Sequence, residues 1–447
     1  MAVRSAPATA LIGVRRRRGE RTTSAVSQPT NALVPRNLQR VITDRLTEEP
    51  VAVLNGARTV GKSTLMRACA VGAGVPVLDL DDIPTRQAVA SDPTLFVRRS
   101  QEPVCVDEFQ HVLDVLDAIK AELNRDLRPG RYLLTGSTRY ATLPVASQSL
   151  TGRAHVITVW PLSQGELRGH REDFLDRLVT APALLVSATE STTTRGDYER
   201  MALLGGFPLA VQRASDTARA RWFRDFVNMV VDRDVLEIRQ VRQRSVLPLI
   251  LRRLAAQTAQ VLNVANIASA LEMDKNTVGD FVELLEAVFL VHRLGAFGPT
   301  LSSRVNSSPK VHVIDSGLAG YLLGVSRHRL EARAPTTLTE FGHILETFAV
   351  NEVLKQAGWA DTPMRFSHFR TRDGHEVDLV CETDDGRFAG VEVKSASSVP
   401  DDEFRGLRML RDRLGSDFVG GVVLYLGQRS YTKEDRLHVL PLDSIWA

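Results

Sequence analysis

A multidomain α/β chain is what this sequence predicts, and three observations carry the prediction. Apolar runs at residues 51–54, 75–80, 103–106 and 131–134 are separated by helical patterns, the order that builds a parallel sheet covered by helices. The stretch 51–64 reads as strand, glycine-punctuated loop and helix. Residues 376–394 hold two alternating strands around the turn Asp384-Asp-Gly386, the pattern of an α+β domain. The expected organisation is a disordered basic tail at 1–30, a helix-covered parallel-sheet domain at 31–210 and a helical, winged-helix middle at 211–300. A linker at 301–335 and an α+β domain at 336–447 complete it.

At 447 residues the chain is long enough for about three domains, each with its own core. Hydrophobic residues make up 43% and charged residues 24%, which excludes wholesale disorder. The net charge of +3 misleads, because residues 1–30 hold six arginines and one acid; +5 in the tail leaves −2 for the rest. Global charge therefore gives no support for nucleic-acid binding. Cys69, Cys105 and Cys381 are far apart in apolar settings, without metal-ligand spacing, so a reducing, cytoplasmic setting is expected. No apolar run reaches the ~18 residues needed to span a bilayer, so no membrane partner is expected.

After an entry helix with apolar positions Leu38, Val41, Ile42 and Leu46, the first strand runs into Gly56-Ala-Arg-Thr-Val-Gly-Lys-Ser-Thr64. This fits the phosphate-cradling pattern G-x-x-x-x-G-K-[ST] at every defined position. Gly56 and Gly61 remove Cβ clashes, so the amides of Ala57, Arg58, Thr59 and Val60 can converge on an anion at the start of a helix. Lys62 reaches the β- and γ-phosphates, Ser63 ligates Mg²⁺, and Thr64 completes the contact set for ATP. Pro103-Val-Cys-Val-Asp-Glu108 ends a second strand in two carboxylates: Asp107 for the magnesium shell, Glu108 as general base. The strand after it ends in Thr135-Gly-Ser137, and Thr135 or Ser137 is a candidate γ-phosphate sensor. Arg153 is a candidate charge-neutralising arginine, in cis or across a subunit contact, against the alternative of a surface arginine.

The segment 187–197 reads as an exposed loop and 218–253 as long arginine-rich helix. Between Asn263 and Leu294 the pattern is a helix-turn-helix, with Asn263 and Asp274 as N-caps and 288–294 as a wing strand. Asp280, Glu283 and Glu286 are expected to face outward against Lys275 alone, which favours packing or protein contact over DNA. Residues 302–310 read as polar linker.

In the last domain Glu392 and Lys394 point to one face of their strand, and Asp378 on the partner strand can join them. This D…E-x-K arrangement resembles that of PD-(D/E)XK nucleases. The resemblance implies that Asp378 and Glu392 hold Mg²⁺, Lys394 orients water and Glu346 supplies an extra acid. The bland alternative is cross-strand salt-bridge chemistry.

Gly56 to Thr64, Val104 to Gln110, Leu133 to Arg139, the Leu150-Thr-Gly-Arg153 step followed by Trp160-Pro-Leu-Ser163 and Glu166, and Gly205-Gly-Phe-Pro208 together resemble the uncharacterised prokaryotic AAA-type ATPases. Those proteins carry a C-terminal domain of unknown function with a restriction-nuclease-like core. The resemblance implies an AAA-like P-loop domain using ATP and Mg²⁺. Two functions are then open: an ATPase coupled to a nuclease-like domain acting on or near DNA, or an ATP-driven switch and scaffold for a protein partner or a second copy.

Overall fold

The computed structural model describes residues 33–99, 101–136, 150, 152–238, 244–298, 308–371 and 373–447. The basic tail and Ser137 lie outside them. Five strands form the first sheet: β1 (Val51–Asn55), β2 (Val77–Asp79), β3 (Val104–Asp107), β4 (Tyr132–Gly136) and β5 (Ala154–Thr158), in the order β2-β3-β4-β1-β5. Every pairing is parallel, so all five C-terminal ends meet at one edge. Strand alternation divides the core in two. Ala52, Leu54, Cys105 and Leu133 join the cluster under the helices Leu38–Glu48 and Lys62–Ala73. Val51, Val53, Val104, Val106, Tyr132 and Leu134 join the cluster under Asp114–Leu123. A sheet covered on both faces has to read as continuous apolar runs, as these strands do.

The segment 187–197 is a largely exposed loop as far as Thr194, as expected, and it is tied down at its end. Ser191 and Thr193 hydroxyls both donate to Asp443, at 2.5 Å, and Thr194 caps the helix Arg195–Leu204. The arginine-rich stretch is helix Asp216–Met229, then a π-helical turn Val230–Asp234, then Val235–Ile238. After it come helix Leu247–Ala256, β6 (Gln260–Val261), helices Val264–Ala270 and Lys275–Ala287, β7 (Val291–Leu294) and β8 (Lys310–Val313). The three strands make an antiparallel sheet ordered β6-β8-β7. Asn263 and Asp274 cap the two helices as their short side chains suggest. Two expectations fail here. Glu286 is buried and paired with Arg293 at 2.6 Å, so it leaves the exposed acidic face to Asp280 and Glu283. The described part of the expected 301–335 linker is regular structure: buried β8, the helix Ser316–Leu323 and the largely exposed helix Arg327–Glu331.

The last region packs helix Pro335–Gln356 on a six-stranded mixed sheet. Its strands are β9 (Met364–Arg370), β10 (Glu376–Thr383), β11 (Phe388–Lys394), β12 (Phe418–Tyr425), β13 (Tyr431–Glu434) and β14 (Leu437–Pro441), ordered β13-β14-β12-β11-β10-β9. The helix is not confined to this sheet. Glu352 accepts from the Gln164 amide at 2.7 Å, Lys355 donates to the Leu162 carbonyl at 3.0 Å, and Trp359 donates to the Glu172 carbonyl at 3.1 Å. Residues after about 160, expected with the first sheet, therefore pack against the last one. Among the described residues no helix is long and apolar enough to cross a membrane.

Candidate functional site

β1 ends at Asn55 and the chain turns at once through Gly56, whose φ is +149°. A Cβ there would lie 2.3 Å from the Val159 carbonyl oxygen, so only glycine fits. Thr59 and Gly61 also take positive φ, and Gly61 caps the helix Lys62–Ala73. The first-turn amides of that helix have no intrahelical partner and point back into the loop. Lys62 is buried and donates to the carbonyls of Gly56 and Ala57, both at 3.0 Å; burial lowers its pKa, against the pull of Glu108. The loop thus encloses a cation whose present partners are two neutral carbonyls, a site suited to an anion.

The parallel register brings the acids to the same edge. Val106 pairs with Leu134, so Thr135 lies beside Asp107. Ser63 Oγ donates to Asp107 Oδ1 at 3.0 Å, and the Thr135 hydroxyl donates to the same oxygen. Thr135 Oγ1 in turn accepts from the Glu108 amide at 3.0 Å. Burial raises the Asp107 pKa, opposed by the hydrogen bonds from Thr135 and Ser63. Glu108 sits in the left-handed region at φ +53° and accepts from Gln110. Ser63 and Asp107 form a hard-oxygen pair next to the anion loop, which fits Mg²⁺. That ion commonly takes one or two protein oxygens and completes its shell with phosphate and water.

Three contacts around the loop have no signature in local sequence. Arg36 donates to the Val60 carbonyl at 2.8 Å, to the Trp160 carbonyl at 2.7 Å and to Glu166 at 3.0 Å. Arg58 is bound to Asp234 of the π-helical turn, at 2.8 Å. Arg67 bridges Asp79, at 2.8 Å, towards Asp107, at 3.8 Å. Ala57 and Val60 are buried in the loop, whereas Thr64 faces solvent. Arg153 is not brought to the site. It precedes β5 at the end aligned with Val51, about 15 Å of strand from Gly56, and donates to Asn124 at 2.7 Å. The in-cis reading of Arg153 is thereby corrected, because parallel pairing leaves it at the wrong end of the sheet.

A second cluster lies between β10 and β11. Leu379 pairs with Val391, which sets Asp378 opposite Glu392, and Asp378 accepts from the Val393 amide at 2.9 Å. Lys394 meets Glu392 at 2.8 Å and Glu403 at 2.6 Å. A cleft of about 480 Å³ opens over Glu346, Glu376, Asp378, Glu392 and Lys394. The expected group converges, yet it fails the test for a metal. Lys310, fully buried, places its ammonium 2.6 Å from Glu346, 2.5 Å from Glu376 and 2.9 Å from Asp378. Burial alone would lower its pKa, but Asp378, Glu346 and Glu376 outweigh it and hold the pKa above that of ordinary lysine. For Asp378 burial is likewise overcome by Lys310, and the net shift is downward. An ammonium thus stands beside Asp378, where a cation was expected, whereas Glu392 meets Lys394.

Residues 48–168 match the model of the AAA domain. Residues 195–329 and 341–445 match two domains of unknown function, DUF8612 and DUF4143. Uncharacterized proteins of Mycobacterium tuberculosis and Mycobacterium bovis are each 25% identical over 398 residues, covering 89% of this chain and 81% of the relative. Among solved structures, a Walker-type ATPase of Pyrococcus abyssi shares 16% identity at a TM-score of 0.40, over 66% of this chain and 97% of that one. The RuvB Holliday junction branch migration motor of Thermotoga maritima shares 14% at 0.29, over 60% and 92%. Both scores are too low to establish a common fold. The chain carries an AAA-type P-loop domain, on the family match and on the loop geometry together.

Proposed function

We propose that this chain binds ATP with Mg²⁺ at residues 56–64 and hydrolyses it. The observation that carries the reading is one connected network: Ser63, Asp107, Thr135 and the Glu108 amide, beside the buried Lys62. Phosphate binding would draw Lys62 from the Gly56 and Ala57 carbonyls to a formal negative charge, a stronger partner for the same ammonium. Mg²⁺, held by Ser63 and Asp107, would supply charge neutralisation between the β- and γ-phosphates. Gln110 ties one oxygen of Glu108, and the other is assigned to the proton of the attacking water. Thr135 is favoured over Ser137 as γ-phosphate sensor, since it already links Asp107 to Glu108.

For the rest of the chain we favour an ATP-driven switch whose C-terminal nuclease-like fold serves as scaffold for a protein partner or a second copy. Lys310 supports it, by standing where a catalytic cation would be needed. The alternative keeps metal-dependent cleavage of DNA. The strand order β6-β8-β7, with a capped helix pair between β6 and β7 in the chain, supports reading the middle region as a winged helix. Asp280 and Glu283 still weigh against its use on phosphates. Lys62→Ala is expected to abolish ATP binding, and Glu108→Gln to keep binding while stopping turnover. An ATPase rate that survives either change refutes the assignment. Cleavage of any DNA form with Mg²⁺ or Mn²⁺, lost in Asp378→Ala, would reinstate the nuclease.

A further inference from the structure

We propose that Lys310 is the resident cation of the C-terminal cleft, an intramolecular substitute for a divalent metal, so that the cleft takes no Mg²⁺ or Mn²⁺ in this arrangement. The count of charges supports it, with hydrogen bonds to Glu346 and Asp378 and an ion pair to Glu376. A lysine ammonium has three N–H donors, and Lys310 meets three carboxylates from two elements: Glu346 on the helix Pro335–Gln356, and Glu376 and Asp378 on β10. Three buried carboxylates this close cannot all stay ionised without a cation among them.

The delivery of the lysine is equally constrained. β8 is the central strand of its sheet, with Lys310 paired to Val261 on one side and Leu294 on the other. A strand held along both edges cannot slide to retract one side chain. Glu392 and Glu403 share a second cation, since Lys394 meets Glu392 Oε1 and Glu403 Oε2, although Glu392 Oε2 is buried without a hydrogen-bond partner. A divalent ion entering beside Asp378 would meet an ammonium 2.9 Å from the oxygen it needs, and would have to displace it.

This inference shares the position of Lys310 with the scaffold reading above, but it concerns occupancy, whereas DNA cleavage tests activity, so the two can fail separately. The test is Mn²⁺ binding to the nucleotide-free full chain, followed by the electron paramagnetic resonance signal of free Mn²⁺ and by thermal melting. The wild type and Asp378→Asn are expected to bind Mn²⁺ alike. Lys310→Met is expected to gain one Mn²⁺ per chain, at least tenfold tighter than any lost or kept in the wild type. That gain should vanish in Lys310→Met/Asp378→Asn, and Mn²⁺ should raise the melting temperature of Lys310→Met alone. A wild-type Mn²⁺ site removed by Asp378→Asn overturns the proposal, and this comparison holds even if the lysine variant does not fold. A folded Lys310→Met chain that gains no Mn²⁺ overturns it as well.

Discussion

The ion pair between Arg58 and Asp234 joins the anion loop to a helix 176 residues away, and its strength can be worked from its surroundings. The guanidinium Nη2 lies 2.8 Å from Asp234 Oδ1, and Nε is 3.0 Å from both carboxylate oxygens. Coulomb's law at an effective dielectric of about 20 gives roughly 6 kcal/mol at this separation, an upper bound. Breaking a buried pair by removing one partner costs about 3–5 kcal/mol. The Asp234 side chain is 1% exposed, but that of Arg58 is 14% exposed, so water recovers part of the loss when Asp234 is removed. Asp234→Asn is therefore expected to cost about 2–4 kcal/mol, and Arg58→Met, which strands the more deeply buried charge, no less. The assay is urea unfolding by tryptophan fluorescence, for which Trp222, stacked on Phe226 at 5.1 Å in the helix leading to the π-helical turn, is a local reporter. The double variant should cost about as much as the worse single one. A coupling energy below about 0.5 kcal/mol would mean that the two sites act independently, and would refute the latch between loop and helix.

Two further outcomes follow from placement. His368 on β9 is buried, and burial, with the Lys310 charge beside it, pushes its pKa down to about 4 from 6.5. The unfolded chain takes up the proton first, so the contribution to stability is fully present above pH 6.5 and is lost as pH falls towards 4. The loss should reach up to about 3 kcal/mol, and in urea titrations His368→Gln should flatten that slope; parallel curves for the two proteins refute the account. Arg153→Ala should leave the ATP affinity of the monomer unchanged, since Arg153 lies at the far end of β5. A weaker monomer affinity by fluorescent-nucleotide titration would contradict the sheet geometry.

Where a side chain acts on its own neighbourhood, the residues announced it. The loop 56–64, the acids Asp107 and Glu108, the caps Asn263 and Asp274 and the facing pair Asp378 and Glu392 all depend on short-range geometry, on a strand's alternation or on a glycine's φ. Lys310 shows the limit. Residue 310 reads as the end of a polar linker, because a lysine ahead of an apolar run gives no sign of burial until three carboxylates are known to surround it.

By itself, then, the sequence determined the first strands and helices of the parallel sheet, the anion loop with its acidic partner strand, and the helix caps, since each is written in contiguous residues. Only the tertiary structure decided which distant charges meet. Arg58 found Asp234, Arg36 found Glu166, Lys310 filled the carboxylate cleft, and Arg153 was left at the opposite end of the sheet. Ion pairing in a folded core depends on burial and on which edge a strand end reaches, and neither is a property of any window of residues.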